Sequence, residues 1–223
     1  MTYQAERELM CTVGKLLYDR GYVAANDGNL SMKVAQERLL VTPSGVSKGR
    51  MTPDMLLVTD LTGRVLEGNR HPSSETKMHL AVYRGRPDVG AVVHAHPPVS
   101  TAFAVCRRGL ETPYLSELAA GLGTVPCTPA FAMLSTDEVP RSVEPYLADH
   151  CAVLLANHGV LTWGGGLWEA FDRMETVEHT AKIVLNAQLL GDPVALTQEE
   201  TARLRSLQGL YRRLRQVGEE ETT

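Results

Sequence analysis

The stretch Gly90-Ala91-Val92-Val93-His94-Ala95-His96 decides how this chain is read. Gly90 to His94 reads as a buried strand, with His96 at its end. Side chains two apart on a strand share a face, so His94 and His96 project together while Val93 and Ala95 face the other way. Two imidazoles on one face are half of a tripod for a divalent metal. A second apolar run, Cys151-Ala152-Val153-Leu154-Leu155-Ala156, leads into Asn157-His158-Gly159, and His158 can supply the third nitrogen. Three protein ligands with open positions describe a catalytic zinc rather than a structural one.

Outward from this pair, the chain alternates short strands with helices. Leu9, Val13, Leu16 and Leu17 repeat at helical spacing as far as Gly21. Strand-like runs follow at Leu30 to Val34, Arg38 to Val41, Met55 to Thr59 and Val65 to Leu66, punctuated by Pro43-Ser44-Gly45, Thr52-Pro53-Asp54 and Thr62-Gly63. A helix opens near Ser73-Ser74-Glu75. Ser100 to Val105 and Ser142 to Leu147 read as helices, and Thr124 to Thr128 and Ala152 to Ala156 as strands. From Trp168 the chain is helical, with a stripe Trp168, Phe171, Met174, Val177, Ala181, Val184 and Leu185 expected to be buried. Thr197-Gln198-Glu199-Glu200 is a capping box. The tail 218–223 is expected to fray.

The 223 residues are 43% hydrophobic with a formal charge of −4. That is enough for a sizeable core in a single α/β domain over 1–223, a sheet of short strands covered by helices. No basic block suits a nucleic acid. No apolar run approaches the roughly 20 residues of a membrane span, and the polar opening Met1 to Glu8 is unlike a secretory leader. Cys11, Cys106, Cys127 and Cys151 are widely spaced in apolar surroundings and read as reduced packing residues of a cytoplasmic protein.

Three segments look able to receive an anion. Gly28-Asn29 and Thr42-Pro43-Ser44-Gly45 each join a glycine to a small polar side chain, so that backbone amides can approach a ligand closely. Ser73-Ser74-Glu75 offers hydroxyls and N–H groups at a helix start. Glu75 itself could be a capping acid favoured by the helix dipole. Together the segments suggest a phosphate held mainly by neutral donors, with Lys48 and Arg50 nearby as side chains that solvent can hold. His71, His79, His150 and His179 read as surface or packing residues.

The motifs Gly28-Asn29-Leu30-Ser31, Thr42-Pro43-Ser44-Gly45, Pro72-Ser73-Ser74-Glu75, His94-Ala95-His96 and Asn157-His158-Gly159 together resemble the class II aldolase/adducin family, and within it the L-fuculose-1-phosphate aldolase type. The resemblance spans roughly residues 5 to 215. It implies a three-layer α/β/α sandwich around a largely antiparallel sheet, and a homotetramer with active sites between subunits. It implies that His94, His96, His158 and Glu75 bind Zn²⁺, that Glu75 is also the acid/base, and that Gly28, Asn29, Ser44, Gly45, Ser73 and Ser74 hold the phosphate of a sugar phosphate. A tyrosine from the adjacent subunit, matched here by Tyr114 one residue out of register, would serve the aldehyde side. An aromatic expected downstream aligns with Met133 better than with Phe131, and Tyr211 resembles a residue that closes the site.

The implied reaction is metal-dependent cleavage of a ketose 1-phosphate, L-fuculose 1-phosphate or a 5-deoxypentulose 1-phosphate, to dihydroxyacetone phosphate and an aldehyde. A divalent metal would stabilise the enediolate as a Lewis acid. The same site could instead decarboxylate a 3-oxo-acid phosphate or dehydrate a methylthioribulose phosphate. Pentulose-5-phosphate 4-epimerases carry Asp where this chain has Glu75. A non-catalytic, adducin-like scaffold would be expected to have lost the ligands that are present here.

Overall fold

The computed structural model describes residues 2–206. Seven strands form one sheet: β1 (Asn29–Ala35), β2 (Arg38–Val41), β3 (Leu57–Thr59), β4 (Val65–Glu67), β5 (Ala91–Ala95), β6 (Ala152–Leu155) and β7 (Gly159–Gly164). Their order is β4-β3-β2-β1-β5-β7-β6, and every neighbouring pair is antiparallel. β5 lies centrally, with Asn29 opposite His94 on one side and Leu161 opposite His94 on the other.

The period of two sends alternate residues to two separate cores. Leu30, Leu40, Val58, Ala91, Val93, Ala95, Leu154 and Val160 pack on one face, under α1 (Gln4–Asp19), α3 (Pro98–Val105), α4 (Ser116–Gly121) and α6 (Leu167–Leu190). Leu39, Val41, Leu57, Val92, Val153, Leu161 and Trp163 pack on the other, under α2 (Thr76–Gly85) and α5 (Glu138–Val143). Each fully buried aliphatic side chain contributes about 2 kcal/mol. The layers are therefore helix, sheet, helix, as the family resemblance implies. No helix among the described residues is long and apolar enough to cross a membrane.

Two polar devices lock helices to this frame. Glu178, wholly buried on α6, accepts hydrogen bonds from Ser100 N and Ser100 Oγ, both at 2.8 Å, and so satisfies the start of α3 just beyond His96. On the other face, Ser31 of β1 bridges His79 Nδ1 at 2.7 Å and the Tyr83 hydroxyl at 2.9 Å. One step along β1, Asn29 Nδ2 donates to Glu75 Oε2 at 2.7 Å. Positions 29 and 31 of a strand thus meet positions 75, 79 and 83 of the adjoining helix, matching period two to the helical i, i+4 spacing.

Several expectations need correction. The run Gly159–Gly164 is a strand that the sequence reading left unassigned, although it completes the hairpin carrying His158. Thr124 to Thr128 is no strand; only the bridges Leu110–Val125 and Cys127–Leu154 form there, because Pro126 has no N–H to extend a ladder. Met55 belongs to a 3-10 turn, Pro53–Met55, so β3 begins at Leu57. The helix expected at 142–147 starts earlier, as α5, and tightens into a 3-10 turn at Glu144–Tyr146. α4 was not anticipated. Trp168 and Leu185 are 44% and 39% exposed rather than buried, and Cys106 is exposed. The capping box forms as expected, with Glu200 N donating to Thr197 Oγ1 at 3.2 Å and Thr197 N to Glu200 Oε2 at 2.8 Å.

Burial holds the His79 imidazole at about 4, down from 6.5. The unfolded chain takes up a proton here below 6.5 while the folded chain does not, so stability falls as pH drops from 6.5 towards 4. Urea denaturation at pH 7 and pH 5 should show about 2 kcal/mol of this loss from His79. His79→Gln should flatten the dependence by that amount, and an unchanged pH slope would contradict the assignment.

Candidate metal centre

His94 is the penultimate residue of β5 and is itself wholly buried. His96 lies two residues on, its N–H bonded to Tyr22 O at 2.8 Å. His158 sits in the three-residue turn between β6 and β7, where Asn157 takes a left-handed conformation (φ 58°) and His158 N bonds back to Leu155 O at 2.9 Å. Asparagine tolerates that conformation better than most residues. Gly159 follows because a side chain there would collide: its Cβ would stand 2.5 Å from the His96 ring and 2.6 Å from Ala95 O. The glycine lets the two strand ends close on three imidazoles.

The ligand nitrogens of His94, His96 and His158 lie within 4.8 Å of one another. His94 Nδ1 is 2.9 Å from the Val160 carbonyl, which can only accept, so Nδ1 carries the proton and Nε2 presents a lone pair. His96 Nδ1 faces Asp27 Oδ2 at 3.6 Å, an acidic neighbour that favours the same tautomer. The two Nε2 atoms then face each other at 3.0 Å, a repulsive pairing that a shared cation relieves. Burial also pushes the His94 and His96 imidazoles below their ordinary value and keeps them neutral. This donor set fits a divalent metal.

Glu75, at the N-cap of α2, closes the fourth side. Its Oε1 is 3.0 Å from His158 Nε2 and its Oε2 is 3.5 Å from His94 Nε2. Burial pulls the carboxyl upward, but hydrogen bonds from the His158 imidazole at 3.0 Å and the Asn29 amide at 2.7 Å outweigh it and hold Glu75 below the usual carboxylate range. It is an anion aimed at the tripod rather than a simple capping acid, and it makes no side-chain cap hydrogen bond.

The expected anion loops converge beside it. Ser44 N donates to His71 O at 2.9 Å and Ser73 N to Thr42 O at 3.2 Å, around a bridge between Pro43 and Pro72. Leu30 N donates to Thr42 Oγ1 at 3.1 Å. Gly28 and Gly45 both take positive φ, 70° and 71°. At Gly28 a side chain would also strike His94 O at 2.8 Å, so the loop can lie against β5 only as glycine. Asn29 is buried, with Oδ1 lacking a partner, and Ser47 Oγ is likewise buried and unpartnered.

A model of the Class II Aldolase and Adducin N-terminal domain matches residues 8–185. The chain belongs to the class II aldolase and adducin family. It is 37% identical over 210 residues to a 3-oxo-tetronate 4-phosphate decarboxylase of Escherichia coli K12, covering 91% of this chain and 96% of that one. It is 34% identical over 206 residues to a 5-deoxy-D-ribulose 1-phosphate aldolase of Bacillus thuringiensis, with coverage of 92% and 95%. A solved L-fuculose 1-phosphate aldolase superposes with a TM-score of 0.85 at 32% identity, over 92% of this chain and 97% of the other. This class II aldolase family member is an enzyme, a lyase.

Not every expected residue joins the tripod. Tyr114 is half-buried beside a cavity of about 60 Å³ lined by Phe103, Leu110 and Val184, and its side chain makes no hydrogen bond to Glu75 or the three histidines of its own chain. Phe131 and Met133 are exposed, at 47% and 53%. Tyr211 lies outside the described residues. Two residues were missed. Asp27 was not singled out, and Lys48, read as a side chain that solvent can hold, is 2% exposed. Arg50 is exposed, as expected. The signal for Lys48 was its place in a loop flanked by apolar Val46 and Met51.

Gly159→Ala should push the His96 ring aside and weaken divalent-metal binding about 10-fold, read by competition with a chromophoric chelator. Unchanged affinity would remove the steric role assigned to Gly159.

Proposed function

We propose that this chain is a zinc-dependent aldolase that cleaves a ketose 1-phosphate, L-fuculose 1-phosphate or a 5-deoxypentulose 1-phosphate, to dihydroxyacetone phosphate and an aldehyde. The observation that carries the reading is Glu75, an ionised carboxylate within 3.0 Å of His158 and 3.5 Å of His94, beside the three loops suited to phosphate. His94, His96, His158 and Glu75 would hold the metal, one ion per subunit. Zinc bound there supplies Lewis-acid stabilisation of the negative charge that develops as the carbon–carbon bond breaks.

The chain's own groups do the rest. The Ser44, Ser73 and Ser74 hydroxyls, the Gly28 and Gly45 backbone and the Asn29 amide hold the phosphate. The Ser44 and Ser73 N–H groups are already engaged by His71 and Thr42. Asn29 Nδ2, bonded to Glu75 Oε2, orients the carboxylate. Glu75 then moves the proton at the carbon next to the developing charge, a role that needs hydrogen-bond reach of that carbon. The proton on the departing aldehyde oxygen requires a second group, for which Tyr114 of a neighbouring subunit is the candidate. The exposed Phe131, Met133 and Leu134 offer apolar surface for the contacts of a homotetramer with sites between subunits. Tyr211 would close the site. Four cysteines that form no disulfide among the described residues accord with a reducing cytoplasm.

A second reading is decarboxylation of a 3-oxo-acid phosphate. It is favoured by the 37% identity to the Escherichia coli decarboxylase, and it makes no demand on an aldehyde-side acid. A panel separates the two: ketose 1-phosphates assayed for dihydroxyacetone phosphate, and 3-oxo-tetronate 4-phosphate assayed for carbon dioxide. Release of dihydroxyacetone phosphate is the expected result; carbon dioxide alone would replace the first reading with the second. Chelation should abolish turnover and zinc restore it. Glu75→Gln should fold and bind zinc through the histidines but lose about 10²-fold or more in kcat. Near-normal turnover in that variant would exclude Glu75 as the proton carrier.

A further inference from the structure

Lys48 is the one lysine among the described residues whose side chain is buried. It lies in a 3-10 turn, Lys48–Arg50, directly after the Ser44-Gly45 loop. Its Nζ donates to Val46 O at 2.6 Å and to Asn26 O at 3.0 Å. No carboxylate stands within ion-pairing distance of it among the described residues; Asp27 and Glu75 act on it only at longer range. Burial lowers its amine to about 8. Burying an ammonium without a counter-ion is unfavourable, and a methionine would fill the same volume at no such cost. Two backbone carbonyls satisfy hydrogen bonds but leave the charge unneutralised.

The two carbonyls belong to two different segments, each next to one of the glycine-bearing loops. Asn26 O precedes Asp27-Gly28-Asn29, whose glycine lies against β5 and whose asparagine reaches Glu75. Val46 O follows Ser44-Gly45, and the neighbouring Ser47 hydroxyl is buried and unpartnered. We infer that Lys48 is a positioning residue of the anion pocket: its ammonium ties the Asn26 and Val46 carbonyls so that both loops keep one separation, and the counter-ion of its charge is the phosphate dianion of the substrate. The inference rests on the reading of these loops as a phosphate site. It replaces a pocket of neutral donors with one that has a single buried cation in its wall. The lysine touches backbone and not substrate, so its effect falls on binding more than on bond cleavage.

The test uses the zinc-loaded enzyme and inorganic phosphate as probe, by isothermal titration calorimetry. Lys48→Met keeps length and volume but removes donors and charge; Lys48→Gln keeps a donor and removes the charge. The Met variant should keep its circular dichroism spectrum and one zinc per chain. It should bind phosphate at least 10-fold more weakly than the parent, and its KM should rise by a larger factor than its kcat falls. The Gln variant should fall between the two. Phosphate affinity within twofold of the parent in a folded, zinc-loaded variant overturns the role of Lys48 and leaves the proposed function standing. A parent enzyme that binds no phosphate removes the pocket reading and this inference with it. Should neither variant fold, hydrogen exchange of the parent decides. Phosphate should slow exchange in residues 26–29 and 44–48 together, and protection confined to one segment overturns the inference.

Discussion

His94 Nδ1 donates to the Val160 carbonyl, and much of the site follows from that bond. The bond crosses the β5–β7 pairing near the middle of the sheet, so the tautomer of His94 is set by strand register. A slip of one residue would move His94 to the opposite face. The same register seats Gly159 against the His96 ring and brings His158 from the adjoining turn. Geometry at the three nitrogens is therefore not adjustable independently of the fold.

Glu75 reaches the same point from a different layer. It is carried by α2, which is fastened to β1 through Asn29, Ser31, His79 and Tyr83. These polar contacts are buried, and buried polar groups hold an element in one orientation more strictly than apolar packing does. Glu178 performs the equivalent service on the other face by holding α3 immediately after the metal strand. The carboxylate and the imidazoles thus come from elements locked separately to one sheet, a preorganised arrangement.

The family and its layered fold were legible in the sequence, but not every element of that fold was. His94 and His96 announce themselves because strand spacing alone places them together, and the glycine-bearing loops carry their own turn chemistry. The strand Gly159–Gly164 was missed because its neighbours Gly159 and Gly164 look like turn residues when the packing of His96 and Ala170 against them is unseen. Thr124 to Thr128 misled in the opposite sense, as an apolar run interrupted by Pro126. Lys48 shows a further limit: a charged side chain is read as solvated unless the burial of its surroundings is known.

The split of alternate strand residues between two cores has an evolutionary reading. Ala91, Val93 and Ala95 pack into one core, while on the opposite face of the same five-residue strand Val92 packs into the second core and His94 is left to the site. Selection can rework the catalytic face and its loops for a new substrate while the scaffold face drifts only within packing limits. A lineage built this way can diversify its reactions without first inventing a new architecture.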